Sequence, residues 1–344
     1  MSIKLSVCIP TYNRATFLGA ALDSVIRQAT DEVEIVVSDN ASTDHTEALV
    51  REYQARFPRI RYHRNPENLG ADRNFLKVVE LAEGEYCWLL GSDDALGPSA
   101  LRQVLQRLGS ADIYQLDAVR MSSDMSRVLL SHEQHLSSLN GARYDCKNNA
   151  DMLRVFKDAL GFNINFTFMS CLVFRRFLWN EQRIDGSLLG SGWIHVAKLF
   201  AMMCAGAQIE YLRQPLVLHR TDNDSLLASA GRAKRQLIDL DYLRVAYVSF
   251  SDRAEIRDII RYNCAARLFS VKALLIYRRL VYLSDGAPGI RLVSSALAEA
   301  FRGMPAAGLK IFIWNHFPLW LITTLQSLRR GLRARGLPVT TWLY

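Results

Sequence analysis

The first 120 residues alternate between short apolar runs and longer amphipathic stretches, and this alternation leaves few folds open. "LSVCIP", "VEIVVSD", "RIRYHR" and "EYCWLL" read as strands. Between them, "ATFLGAALDSVIRQA", "DHTEALVREYQARF" and "ADRNFLKVVELAEG" have helical spacing, the last ending at Gly84 as a C-cap. Strand and helix alternating through short connections predict an α/β fold, with a mostly parallel sheet covered by helices. Ligands of such sheets bind at the carboxyl ends of the strands. Three polar tips fall there: "PTYNR", "SDNASTD" and "GSDDALGP". Each tip alone is ordinary turn chemistry, but three on one edge of one sheet argue for a site.

Beyond residue 120 the pattern loosens. Residues from about 125 to 150 are polar and irregular and read as a long connection beside the site. A helix near 150 to 160, a β-rich run "FNINFTFMSCLVFRR", a helix from about 193 to 205 and two short strands, "QIEYL" and "PLVLHR", follow. Residues 232 to 344 read as consecutive helices, an all-helical C-terminal extension. A chain of 344 residues accommodates one large domain plus an appendage. Its formal net charge of +8 points to anionic partners such as nucleotides or lipid phosphates. The six cysteines form no C-x-x-C pair, so neither a zinc site nor a disulfide framework is expected, and a reducing compartment is. No signal-peptide pattern opens the sequence, and no stretch of 18 uncharged apolar residues suggests a spanning helix.

The blocks "CIPTYNR", "VVSDNASTDHT", "NPENLGADRNFLKVVELAEGEYCWLLGSDD" and "YLRQPLVLHR" resemble, in order and spacing, the family 2 nucleotide-sugar glycosyltransferases of GT-A fold. The resemblance spans about residues 4 to 220. The "LLGSDD" variant together with "PLVLHR" is similar to bacterial O-antigen transferases of the abequosyltransferase-like group. It implies a GT-A domain over 1–225, with a nucleotide half at 1–120 and an acceptor half at 121–225, followed by a helical region at 226–344. It further implies an inverting, metal-dependent transfer of a hexosyl or deoxyhexosyl group. The donor would be a nucleoside diphosphate sugar and the acceptor a polyprenyl-diphosphate-linked saccharide.

The adjacent carboxylates fit that chemistry on their own terms. A departing diphosphate must be neutralised, a divalent cation (Mn2+ or Mg2+) does this well, and such ions prefer carboxylate and phosphate oxygens. By resemblance, Asp94 is the metal-binding aspartate and Asp93 faces the donor. The family clamp usually reads D-x-D-D, and its first member here is Gly91. The metal would therefore be held mainly through the donor diphosphate. The resemblance also implies that Pro10, Thr11 and Tyr12 line the base and ribose, that Asp39 accepts from a base N–H, and that Arg73 lies near the diphosphate. Such a carboxylate does not choose among pyrimidines. His219 reads either as a further metal ligand or as a half-buried strand histidine; Arg220 would contact the diphosphate. Arg14 reads as a surface residue.

The acceptor side departs from the family pattern. An E-D pair commonly precedes a helix there, yet no carboxylate lies between Asp185 and Glu210. His195 is the one group in that interval that ordinarily titrates near neutral pH, so it is the candidate general base. It reads equally as a residue on an ordinary helix face, and Asp185 is the alternative base.

From Phe301 to Tyr344 the chain has six basic residues (Arg302, Lys310, Arg329, Arg330, Arg333, Arg335) and no acidic one, around "IFIWNHFPLWLITTL". Apolar aromatics beside a basic cluster suit an anionic membrane surface, with Trp314 and Trp320 inserted. This gives a cytoplasmic enzyme, peripheral on the inner face of the membrane. The tail reads alternatively as a helical cap or as a contact in a homo-oligomer. Two other functions compete. A nucleotidyltransferase would carry a glycine-rich loop after the first strand, which "PTYNRATF" lacks. A non-catalytic anion-binding or nucleic-acid-binding protein would interleave its basic residues with an aromatic platform, which this chain does not, so no nucleic acid is expected.

Overall fold

The structure is a computed structural model that describes residues 2–131, 141–158, 166–221, 225–316 and 318. Strand β1 (Leu5–Thr11) lies between β2 (Val33–Asp39) and β4 (Tyr86–Leu89), parallel to both, and β3 (Ile60–Arg64) continues the parallel set beyond β2. Every residue of β1 and β2 is buried, because helices cover both faces and leave no side for polar residues. The crossover helices are α1 (Ala15–Ile26), α2 (Thr46–Arg56) and α3 (Ala71–Glu80). α1 buries Leu18, Ala21, Leu22 and Val25, the i, i+3, i+4, i+7 stripe that a helix lays on a sheet.

The second half extends the same sheet. β5 (Ala95–Leu96), α4 (Ala100–Leu105) and β6 (Ile113–Met121) are followed by two short strands, β7 (Val128–Leu130) and β8 (Arg143–Asp145). Then come α5 (Asn149–Lys157), a 3-10 turn at Met169–Cys171, β9 (Leu172–Arg175), α6 (Arg176–Glu181), a second 3-10 turn at Gly186–Leu188, α7 (Ile194–Cys204) and β10 (Gln208–Arg220). The order across the sheet is β3-β2-β1-β4-β9-β6-β10-β5, with β7 on β6 and β8 on β10. β9 runs antiparallel between β4 and β6, and β10 is parallel to β6. β1, β2, β3, β4, β6 and β10 therefore point the same way, which brings the end of β10, His219 and Arg220, to the edge that carries the three polar tips.

Several local expectations are corrected. "QIEYL" and "PLVLHR" are one strand, β10, because register shifts around Pro215 absorb the residue that cannot donate to the ladder. The irregular connection contributes the strands β7 and β8 to the sheet, and its residues 132–140 lie outside the described residues. Among the described residues of the β-rich run, only its end is strand, β9, and residues 159–165 lie outside the described residues.

The C-terminal helices are α8 (Ser225–Ser249), α9 (Ala254–Leu268), α10 (Val271–Ala300) and α11 (Ala307–His316). The chain divides into two compact units, Met1–Asn223 with Val245–Ile256 and Asp224–Arg244 with Arg257–Tyr344. In the second unit, Trp314 is only 1% exposed and its indole Nε1 donates to the Ile290 carbonyl at 3.1 Å. Its expected membrane insertion is corrected: Trp314 packs inside its own unit. Leu309 and Phe312 on the same helix are 61% and 58% exposed. Trp320, Arg329, Arg330, Arg333 and Arg335 lie outside the described residues. No helix among the described residues is long and apolar enough to cross a membrane.

Gly84 has a role other than the expected helix cap, since α3 already ends at Glu80. It passes so close to β1 that an added Cβ would stand 2.7 Å from the Ser6 amide nitrogen and 2.9 Å from the Leu5 carbonyl carbon. The approach is held by hydrogen bonds: the Gly84 amide donates to Ser6 Oγ (2.8 Å), which donates to buried Glu34 (2.6 Å), which also accepts from the Glu83 amide (2.7 Å). Backbone cannot step aside as a side chain does, so Gly84→Ala is expected to lower stability by about 1–3 kcal/mol, measured by chemical denaturation. An unchanged midpoint would show that the turn relaxes freely.

Candidate active site

The chain leaves β4 at Leu89 and reaches Asp93 and Asp94 through Gly91. Asp94 is buried. Its Oδ2 accepts from the Ser170 hydroxyl at 2.5 Å and its Oδ1 from the Arg220 amide at 3.1 Å. Burial pushes its carboxyl well above the ordinary range and Asp93 adds to the rise, while His219, Ser170 and the Arg220 amide pull it back. The Arg220 guanidinium donates to the carbonyls of Asp93 (2.8 Å) and Ser123 (2.6 Å). Arg14 and Arg220 both lie over the Phe17 ring, at 5.3 and 5.1 Å. Arg14 also stands 3.9 Å from Asp93 Oδ2 with its side chain largely covered, which corrects the reading of it as a surface residue. His219 packs on Phe168 at 4.3 Å between ring centres. Asp93, Asp94, His219 and Arg220 thus meet, and Arg14 joins them.

The glycine at 91 now has a cause. A Cβ there would stand 2.9 Å from Asp94 Oδ2 and 3.0 Å from Asp93 Oδ1. Only a residue without a side chain lets both carboxylates keep these positions. The available ligands, carboxylate oxygen and imidazole nitrogen, suit Mg2+ or Mn2+. No cage of three or more His, Cys, Asp or Glu residues forms among the described residues. The residues therefore fit an ion whose coordination is completed by oxygens from a bound molecule.

The tips of β1 and β2 form a second cluster. Pro10 and Thr11 are buried, the Thr11 hydroxyl has no hydrogen-bond partner, and Tyr12 is 43% exposed. Asp39 is fully buried. Its Oδ1 accepts from the Ser42 amide (2.9 Å) and hydroxyl (2.5 Å), and its Oδ2 from the Tyr62 hydroxyl (2.7 Å). A carboxylate has about four acceptor sites, so one is left for a further donor, which must displace a covering side chain to reach it. Behind this cluster, Asn65 donates to Asn40 (3.0 Å) and Asn74 (3.1 Å), and Asn74 donates to the Ser38 carbonyl (3.0 Å). These bonds tie α3 to both strand tips. The same helix turn presents Arg73 outward, exposed and without an ion pair among the described residues.

The loop leading into α7 rests on a residue that the sequence did not single out. Asp72, buried at the start of α3, accepts from the amides of Gly190 (2.7 Å), Gly192 (3.1 Å) and Ile194 (3.4 Å). Both glycines have left-handed backbone, φ 90° and 78°, which turns successive amides toward one carboxylate. His195 follows on α7, 3% exposed, between the rings of Phe75 and Trp193, and neither ring nitrogen has a hydrogen-bond partner of normal geometry. Burial pushes it down to about 4, with the Phe166 backbone opposing in part. The expectation of a group titrating near neutrality there is corrected. Asp185 is exposed, caps the 3-10 turn by accepting from the Ser187 amide (2.8 Å), and is held below the ordinary carboxylate range by that bond. No hydrogen bond or ion pair joins His195 or Asp185 to the Asp93–Asp94 cluster among the described residues.

Residues 6–181 match the family model described as Glycosyl transferase family 2. The chain belongs to glycosyl transferase family 2. It is 37% identical over 263 residues to abequosyltransferase RfbV of Salmonella typhimurium, covering 74% of this chain and 77% of that protein. S. aureus TarS 1–349 in complex with UDP-GlcNAc aligns with a TM-score of 0.60 at 17% identity, over 96% of this chain and 92% of that one. The mannosyltransferase PcManGT from Pyrobaculum calidifontis, in complex with GDP-Man and Mn2+, aligns with a TM-score of 0.54 at 17% identity, over 95% and 85%. The fold is GT-A, as expected, and the chain is a glycosyltransferase. The nucleotidyltransferase and non-catalytic readings fall away.

In this family 2 chain, Ser170 and Asp72 left no legible signal. Ser170 is distant in sequence from the clamp, and Asp72 is one charge among many on a helix. Arg14 sat in plain view within "PTYNR". His195 yields a pH prediction. Its pKa in the folded chain lies below the unfolded value of 6.5, so the unfolded state binds the extra proton. Stability is unaffected above about pH 6.5 and falls by about 3 kcal/mol as pH drops toward 4. His195→Phe is expected to remove much of that acid-side loss in a series of thermal melts between pH 7 and 4. Equal losses in both proteins would place the His195 imidazole in contact with water.

Proposed function

We propose that the chain transfers a sugar, with inversion, from a nucleoside diphosphate donor to a saccharide carried on a polyprenyl diphosphate in bacterial surface-polysaccharide (O-antigen) synthesis. The observation that carries this reading is the buried Asp94, pinned by Ser170 and the Arg220 amide beside Asp93 and flanked by two arginines. Relatives of the same fold are described with UDP-GlcNAc and with GDP-Man plus Mn2+. Asp94, with Asp93 and His219, would hold the divalent cation, which when bound supplies positive charge against the leaving diphosphate.

The protein's own groups do the rest. Tyr12 offers its exposed face to a base, and Thr11 and Asp39 offer a hydroxyl and a carboxylate oxygen. Arg73, Arg14 and Arg220 supply positive charge along the diphosphate, which lowers the barrier as charge develops. Of the two candidate bases, Asp185 fits better. It is exposed and ionised, whereas His195 sits among aromatic rings where protonation is costly. In this reading Asp185 takes the acceptor hydroxyl proton on the face opposite the leaving group, and His195 is a packing residue. The exposed Leu309 and Phe312, with the basic residues 329–335, support attachment to the cytoplasmic leaflet, where a lipid-linked acceptor resides.

Hydrolysis of UDP-, dTDP-, CDP- and GDP-sugars with Mn2+, followed by transfer assays, tests the reading. Asp94→Asn and EDTA are both expected to abolish turnover, the latter reversibly; undiminished rates in EDTA would remove the metal from the mechanism. Asp185→Asn is expected to lower kcat by roughly 10²–10⁴ with donor KM unchanged. A wild-type rate in that variant alongside a dead His195→Phe returns the base to His195. Replacing Arg329, Arg330, Arg333 and Arg335 with Gln is expected to release the protein from anionic liposomes, each cation contributing about 1 kcal/mol. Equal sedimentation of both proteins would assign the tail another role.

A further inference from the structure

We propose that Ser170 stands in for the absent first carboxylate of the clamp: seated over Gly91, its hydroxyl fixes the Asp94 carboxylate for the cation. Ser170 is fully buried in the 3-10 turn before β9. Its Oγ accepts from the Gly91 amide (2.9 Å), which directs its single proton to Asp94 Oδ2 (2.5 Å). Its carbonyl accepts from the Trp88 indole (2.8 Å), so the turn is anchored to the same strand whose tip it serves. The Arg220 amide holds the other Asp94 oxygen, so the carboxylate is fixed from two segments far apart in sequence. Each oxygen keeps a free lone-pair direction for an ion.

The geometry also makes residues 91 and 170 alternatives. A Cβ at position 91 would stand 3.2 Å from Ser170 Oγ as well as 2.9 Å from Asp94 Oδ2. A side chain at 91 therefore enters the space that the serine hydroxyl and the carboxylate it holds now share. With the hydroxyl gone, the Asp94 carboxylate, still held by the Arg220 amide, is free to shift the small distance that admits a carboxylate at 91. This assignment rests on the reading of Asp94 as a metal ligand. Ser170 acts through Asp94, so it is a positioning residue.

Mn2+ binding to the full-length chain, followed by loss of the free-ion EPR signal with the ion alone and with UDP added, tests it. Ser170→Ala is expected to weaken binding at least tenfold, in the range typical of residues that orient metal ligands, with an unchanged far-UV CD spectrum. Ser170→Cys, which keeps the size but donates weakly, is expected to do the same if the alanine variant folds poorly. Gly91→Asp alone is expected to lose at least as much. The double variant Gly91→Asp/Ser170→Ala is expected to return to within about threefold of the unmodified chain, a reciprocal rescue that a merely structural serine does not give. Normal binding in Ser170→Ala, or losses that multiply in the double variant, would overturn the proposal. If Asp94→Asn loses Mn2+ while Ser170→Ala keeps it, only the role of Ser170 fails. If Asp94→Asn binds as well as the unmodified chain, or the unmodified chain binds none, the metal reading fails and this assignment with it.

Discussion

Two carboxylates side by side at the end of a buried strand repel each other, and the surrounding structure is arranged around that repulsion. At an effective dielectric near 20, like charges 4 Å apart cost about 4 kcal/mol. The fold spreads the relief of that cost over several groups, His219 among them. It gives Asp94 two hydrogen-bond donors, exposes Asp93 in part, and brings two arginines over Phe17. The arrangement is incomplete by itself, as the proposed binding of a cation and a diphosphate requires. A clamp with its charges already balanced would have little left to offer a ligand.

The second requirement is that strand ends distant in sequence arrive together. Parallel register sets the tips of β1 and β2 side by side, and β10, running the same way, delivers the Arg220 amide to Asp94. The buried asparagines at 40, 65 and 74 then close the tips against α3 with hydrogen bonds. Asn65 and Asn74, which open and close the block "NPENLGADRN", carry this internal wiring, while Arg73 beside Asn74 faces outward.

Much of the sheet was legible because a two-sided buried strand has no choice but to be apolar, and the polar tips stood out against it. The carboxylate pair and the arginine that ends β10 were legible for the same reason. What could not be read was set by packing between distant segments. Ser170 reaches Asp94 across 76 residues, and no local pattern marks it. His195 looked like a neutral-pH base because its type suggests one; its surroundings, two aromatic rings and no hydrogen-bond partner, are a property of the folded interior. Pro215 seemed to end one strand and start another, whereas a shift in register lets a single strand carry it. Trp314 was read from composition as lipid-facing, and its indole proton instead found a carbonyl inside its own unit.

Asp72 and Arg73 are consecutive residues, and they face opposite partners. Asp72 holds three amides of the loop that leads into α7, while Arg73 faces outward, where the proposed reading places the donor. In the proposed reading, one turn of one helix would be the common footing of both halves of the reaction. A ligand that shifted this turn through Arg73 would pull on the loop that Asp72 grips. Any change in acceptor affinity produced by bound donor is then matched by an equal change in donor affinity produced by bound acceptor, since coupling free energy is reciprocal. The two substrates would sense each other without touching, through a single peptide unit.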